Sequence, residues 1–336
     1  MAYETGTATS PGDLLVKLFD FAGANGWTID DDIASDTKTL KWGTIHKNNV
    51  YATFEFNTSL IHLYPSRGFT SAATTPGANP NSAFGNNGTS EVDGIHCAGM
   101  TGPLTAYYFF EDEVYLHVVV DIDGDHFRHF GFGESIKAGN WTGGEYYYGC
   151  MWLPTGSTSA DVPLSDFNAG PFNGYTDNTT SPRGGMMIYG TQVGGTELPG
   201  ASEVGSKWGY VNSYFSGTMT DDIDGVQHNR FVNLSNIKGG FTGRILGTGV
   251  SAHNGFVPLV PMNYGLVDIS TSPDNVYFLG TYPDVRACNM GALTQGGEYV
   301  IDTDTWVTFP VVRMDQAGTS DQWSNKYGIA YKKVIT

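Results

Sequence analysis

The stretch from Tyr107 to Trp152, YYFFEDEVYLHVVVDIDGDHFRHFGFGESIKAGNWTGGEYYYGCMW, constrains the fold more than any other. Val114 to Val120 is a run of β-branched and aromatic residues, the composition of a buried strand. Asp121, Asp123, Gly124 and Asp125 supply a turn. Phe127 to Phe132 returns as a second strand, with Phe and His alternating around Arg128 and Gly131. After a break at Lys137 to Trp141, the Gly143-Gly144 pair opens a third strand through Tyr146, Tyr147 and Tyr148. Alternation then sets the faces of an antiparallel meander. Val118 and Val120 share one face, and His117, Val119 and Asp121 the other. Phe127 and His129 share a face opposite Arg128 and Phe130.

Aromatic residues occupy both faces of these strands, in Tyr107-Tyr108-Phe109-Phe110 and again in Tyr146-Tyr147-Tyr148. One face serves a core. The second must meet another sheet, a ligand or another subunit. A tyrosine-rich face suits a protein interface, which makes Tyr107, Tyr108, Arg128, Tyr146, Tyr147 and Tyr148 interface candidates. The same rings could stack on sugars.

Around this meander the chain reads as mainly β, an antiparallel sandwich or barrel-like core with one short N-terminal helix and long loop insertions. Ser10 is a good N-cap, Pro11 suits the first helical position and Asp13 favours the positive end of a helix dipole. Leu14, Leu15, Leu18 and Phe21 fall on one face, which must pack on a sheet of this chain or of a neighbour. Gly23 and Asn25-Gly26 end the helix. Short strands are expected at Lys41–Ile45, Asn49–Phe56 and Leu60–Tyr64, then at Met186–Tyr189, Trp208–Phe215 and Phe231–Leu234. The closing strands are Val276–Leu279, Tyr299–Ile301, Trp306–Val312 and Ile329–Val334. Phe69–Glu91 is a Ser/Ala/Thr/Pro/Gly/Asn tract, read as an arm laid across a neighbour. Three segments follow: 1–153, helix plus β core; 154–240, a loop-rich insertion or small β subdomain; and 241–336, strands completing the core.

Forty-five glycines and only 15% charged residues fit a strand-and-turn protein. Seventeen basic against 34 acidic residues give a formal charge of −17, which argues against a large nucleic-acid-facing surface or sequence-specific binding. Cys97, Cys150 and Cys288 are odd in number and widely spaced, as buried thiols are in a reducing cytoplasm. No apolar run approaches the ~20 residues of a membrane helix, and the start MAYETGTATS has no signal-peptide pattern.

Chemistry-bearing motifs are few. Asp121-x-Asp123-Gly124-Asp125 begins like a calcium loop, but the glycine falls at position 4, position 12 is Phe132, and strands flank it where an EF-hand has helices. It reads as a hairpin turn. His117, His126 and His129 have no Glu or Cys at zinc-type spacing and read as hydrogen-bonded structural histidines. Arg128 reads as a counter-ion for Glu134 or an interface residue. Acid clusters at Glu111–Glu113 and at Asp221, Asp222 and Asp224 read as solvated edges, with carboxylate-pair glycoside hydrolysis the enzymatic alternative. No metal, cofactor or catalytic residue is assigned.

The segment YLHVVVDIDGDHFRHFGFGESIKAGNWTGGEYYYG resembles a signature of an uncharacterised family of tailed-bacteriophage virion structural proteins. There a strand ending in V-V-V is followed by F-R-H-F-G-F-G-E and then W-T-G-G. The likeness continues at Pro283-Asp284-Val285-Arg286, at Trp306 to Pro310 and at Tyr327-Gly328-Ile329-Ala330-Tyr331, and at the N-terminus in the helix ahead of Asn25 to Thr28. Residues 154–240 lie outside it. The resemblance implies a non-enzymatic part of a phage neck or collar, tail or baseplate. Such a part is assembled in the host cytoplasm and works in a symmetric homo-oligomer with other virion proteins. The alternatives are a host-receptor or glycan-binding tail protein and a depolymerase. The signature lies in the strands flanking Asp121–Asp125, which also weighs against an ion there.

Overall fold

A computed structural model describes residues 2–33, 41–56, 60–70, 95–98, 100–149, 186–193, 196–197, 208–212, 230–233, 257–268, 275–311 and 327–333. The N-terminal elements are β1 (Ala2–Ala8), α1 (Pro11–Ala24), β2 (Thr28–Asp31), β3 (Lys41–Lys47), β4 (Val50–Phe56), β5 (Leu60–Ser66) and β6 (Ile95–Ala98). The meander follows as β7 (Leu104–Asp112), β8 (Tyr115–Asp121), β9 (Phe127–Glu134), β10 (Ile136–Lys137) and β11 (Trp141–Gly149). Then come β12 (Met186–Val193), β13 (Thr196–Glu197), β14 (Trp208–Asn212) and β15 (Arg230–Asn233). The chain closes with β16 (Val260–Asp268), β17 (Asn275–Asn289), a 3-10 turn at Met290–Ala292, β18 (Gly297–Ile301), β19 (Asp304–Pro310) and β20 (Tyr327–Lys333).

Strands β2 to β6 form a five-stranded sheet in the order 2-3-4-5-6. The other strands join a 15-stranded sheet whose path runs 1-7-8-9-11-12-14-15-16-17-20-19-18. All pairs are antiparallel except β14 with β15. The long sheet doubles back: its first half carries the meander and its second half, β16 to β20, lies across the meander's far face. The result is three β layers with the meander in the middle. One core lies between the meander, α1 and the five-stranded sheet, and holds Phe109, Val118, Val120, Phe130, Phe132 and Tyr147. The second lies between the meander and β16–β20, and holds Phe110, Val119, Phe127, Tyr146, Tyr148, Phe309 and Tyr331. Every residue of β8 is buried.

The mainly β, sandwich-like architecture expected from sequence is what the chain forms. The helix begins as its residues require: the Ser10 hydroxyl accepts the Asp13 amide at 3.1 Å and Pro11 follows at the first position. Its apolar face packs on this chain's own sheets, Phe19 against Phe54 and Phe21 against Phe109. The meander strands and their facing match the alternation of the sequence. The strands β12, β14 and β15, inside 154–240, form no separate sheet; they connect β11 to β16. Most of that span, and residues 71–91 of the arm expected at Phe69–Glu91, lie outside the described residues.

The F-G-F-G of β9 has a packing reason. Phe130 and Phe132 point into the first core, while Gly131 and Gly133 lie on the opposite face. A Cβ on Gly131 would meet the Leu116 carbonyl and the His117 ring, and one on Gly133 would meet Tyr115. The glycines therefore make room for the aromatic rings of β8 and β11 on that face.

Candidate functional site

Two polar clusters are built into this sandwich. The first lies between the meander and β16–β20. His129 Nε2 is 2.9 Å from the Pro310 carbonyl, and His129 Nδ1 is 2.9 Å from the Tyr331 hydroxyl. A carbonyl only accepts, so Nε2 carries the proton and Nδ1 accepts from Tyr331. His117 lies beside it, with Nδ1 2.8 Å from the Tyr148 hydroxyl and Nε2 3.3 Å from that of Tyr146, and it is hydrogen-bonded to the Pro283 backbone carbonyl. Tyr115 donates to Asp284 at 3.1 Å. Burial holds His117 down at about 3 and His129 down at about 4, so both are neutral rings at neutral pH. Burial likewise raises the Tyr146 hydroxyl well above its ordinary value. These groups satisfy one another and fix how the layers sit. No proton acceptor poised near neutrality results.

The second cluster lies at one end of the first core, where the five-stranded sheet meets the meander. Glu111 on β7 is buried; its Oε1 accepts from Lys47 Nζ at 3.0 Å and from the Trp27 indole at 3.3 Å. Glu145 on β11 is 3% exposed, with its Oε1 2.9 Å from Nη2 of Arg67, just past β5. The Arg67 guanidinium lies 4.3 Å from the centre of the Tyr189 ring. Glu145 stands opposite Glu134 in the β9/β11 register. Burial pushes the Glu145 carboxyl up, helped by Glu134, while its own backbone N–H, Arg67 and Lys137 pull it down. A bulge positions it: Gly143 and Gly144 both have positive φ, and register shifts flank them. The W-T-G-G segment is thus a bulged strand start, with the Trp141 indole donating to the Leu279 carbonyl at 3.1 Å.

At this end of the sandwich Glu145 and Glu111 are both buried against their cationic partners, Arg67 and Lys47. The two ion pairs tie the five-stranded sheet to the meander, Lys47 of β3 to Glu111 and Arg67 beyond β5 to Glu145.

The acidic turn is a hydrogen-bonded hairpin. Asp121 Oδ1 accepts from Gly124 N at 2.6 Å, and Asp123 Oδ1 accepts from Asp125 N and His126 N. The His126 ring reaches Asp123 Oδ2 at 2.6 Å, and Gln295 donates to the Gly124 carbonyl. His126 is therefore part of the turn and stands apart from His117 and His129. Among the described residues no three His, Cys, Asp or Glu side chains are grouped to hold a metal.

The interface candidates need correction on one point. Tyr146, Tyr147 and Tyr148 are fully buried and Tyr107 nearly so: Tyr146 and Tyr148 lie under this chain's own β16–β20 layer, and Tyr107 and Tyr147 in the core shared with α1 and the five-stranded sheet. Their rings therefore present nothing to a partner or a sugar in this fold. Tyr108, half-buried, packs its ring on Phe309. Arg128 is half-buried and donates to the Phe127 carbonyl at 3.0 Å. Cys97 and Cys288 are buried thiols, and Cys150 lies outside the described residues. Sequence reading missed Arg67–Glu145 and Lys47–Glu111. A usable signal was present in Glu145-Tyr146-Tyr147-Tyr148, since a carboxylate in a strand buried on both faces must meet a counter-ion.

No protein-family model matches the chain, and no curated protein matches it. No helix among the described residues is long and apolar enough to cross a membrane.

Proposed function

We propose that this chain is a non-enzymatic structural protein of a tailed-bacteriophage particle. Its seat is the neck or collar, the tail or the baseplate, and its partners are further copies of itself and other virion proteins. One observation carries the reading. The segments that bear the resemblance, far apart in sequence, converge on one buried network: His117 and His129 from the V-V-V and F-R-H-F strands, Pro283 and Asp284, Pro310, and Tyr331. The segments of the signature thus meet inside a layered β sandwich, which suits a part whose work is to hold shape under load. The acidic balance fits a seat that does not grip nucleic acid. Sugar stacking on Tyr146–Tyr148 loses its basis, since those rings are buried.

The test is mass spectrometry and antibody-labelled electron microscopy of phage particles from the bacterium that carries this coding sequence. The reading expects the chain in intact particles at fixed, symmetric positions. Its recovery only from the soluble lysate, with none in purified particles, would contradict it.

A further inference from the structure

The contact between the end of β5 and the bulged start of β11 sets Glu145 against the Arg67 guanidinium and opposite a second carboxylate, Glu134, in the β9/β11 register. Register neighbours on one face have Cβ atoms about 5 Å apart, well within reach of each other's carboxyl groups. Arg67 uses Nη2 for Glu145 Oε1. Glu145 Oε2 is buried without a hydrogen-bond donor, and Arg67 Nε is buried without an acceptor. The closed contact therefore leaves one buried carboxylate oxygen of Glu145 without a donor beside a like charge across the register. The other groups facing Glu145 are its own backbone N–H and Lys137 on β10, which lower its carboxyl without reversing the upward push of burial, Tyr147 on its own strand and Tyr264 on β16, which are neutral hydroxyls, and Tyr189 on β12, which already carries Arg67.

We propose that this contact is a proton-operated fastening: uptake of one proton by Glu145, opposite Glu134, tightens the seating of the β5 end on the central sheet, and its release loosens it. The proton comes from solvent and sits on Glu145 Oε2, turning a donorless oxygen into a hydroxyl that donates to the Glu134 carboxylate. Arg67 stays on Oε1, and the cluster of three groups becomes neutral. Opening exposes Glu145 to water, where its affinity for the proton falls to that of an ordinary glutamate, so the proton favours the closed form. The raised carboxyl of Glu145 has the same sign. For a particle component this would firm the wall in acid and relax it in base.

The test is native-state hydrogen exchange by mass spectrometry on the full chain, following the backbone amides of Arg67 and Gly68 between pH 5 and 8, with intrinsic exchange rates divided out. The wild type is expected to open more readily as pH rises, by up to about tenfold per unit between the open-state and closed-state pKa values. Glu145→Gln, which carries a donor amide and no charge, is expected to open less than wild type at pH 8 and to lose the pH dependence. Glu134→Gln should lose most of it as well. The proposal is overturned if Glu145→Gln opens more than wild type at pH 8, or if wild-type opening is flat across the range. If Glu145→Gln fails to fold, the Glu134→Gln and wild-type profiles alone decide the outcome.

Discussion

His129 and Tyr331 stand 202 residues apart in the chain and 2.9 Å apart in the fold, the imidazole Nδ1 accepting the phenol's proton. Through this bond the closing strand β20 is joined to β9 of the central meander, inside the second core. Tyr331→Phe preserves the ring stack on His129 and removes the hydroxyl that donates to His129 and also meets the Tyr148 hydroxyl at 3.4 Å. It should cost about 1–3 kcal/mol, the penalty for leaving a buried acceptor unmet. Urea unfolding at neutral pH measures it, and a cost near zero would show that the network contributes nothing to stability.

The buried histidines set an acid limit. His117 is held near 3, and His129 and His62 near 4, each mainly by burial, against about 6.5 in an unfolded chain. Their folded pKa values are depressed, so the unfolded chain binds more protons between about pH 4 and 6.5. The stability they permit is complete above about 6.5 and is lost as pH falls toward the folded values. Each contributes a slope of about 1.4 kcal/mol per pH unit in that window, so the three together give about 4. Asp121 and Glu145, raised by burial, act in the opposite direction and offset part of it. Urea midpoints at half-unit steps from pH 7.5 to 4.5 should fall steeply below 6.5; a flat profile would mean the histidines are not buried as described.

The W-T-G-G bulge can be tested with one matched pair of substitutions. Gly143 and Gly139 both have positive φ, at 116° and 105°. A Cβ on Gly143 would meet the Tyr189 carbonyl oxygen, while one on Gly139 would meet nothing within 4 Å. Gly139→Ala carries the backbone strain alone, about 1–2 kcal/mol. Gly143→Ala adds the collision and should cost at least ~2 kcal/mol more, read as the difference between their thermal unfolding free energies.

Core and turn should respond in opposite ways. Val118→Asp or Phe130→Asp places an unpaired charge in the first core and should cost several kcal/mol, enough to abolish soluble expression of a marginal domain. Asp123→Asn keeps an accepting oxygen for Asp125 N and His126 N and should cost under ~1 kcal/mol. A collapsed turn variant beside well-folded strand variants would invert core and site.

How much of this was legible in the sequence depends on the range of the interaction. The meander's strands and facing could be read because alternation is local: Val118, Val119 and His117 sort themselves by period two. The helix start was equally local, in Ser10-Pro11. By contrast, β1 escaped notice because its alternation is carried by Thr and Gly, and β16 because Pro261, Asn263 and Gly265 read as loop. Both are strands because of what they pair with, β7 and β17. That the second aromatic face meets a sheet was one of three open alternatives, since the residues that cover it, from Met262 to Tyr331, lie more than a hundred positions downstream. The Arg67–Glu145 pair was invisible for the same reason, although Glu145 in a tyrosine run already called for a counter-ion.

This chain buries both faces of its own meander, without help from a neighbour. Hydrogen exchange on the isolated, full-length chain at neutral pH tests it most directly. The account predicts that Tyr115–Asp121, Phe127–Glu134 and Trp141–Gly149 are the slowest segments, exchanging only through global unfolding. Fast exchange of these three strands in the isolated chain, with protection appearing only in an assembled particle, would contradict it.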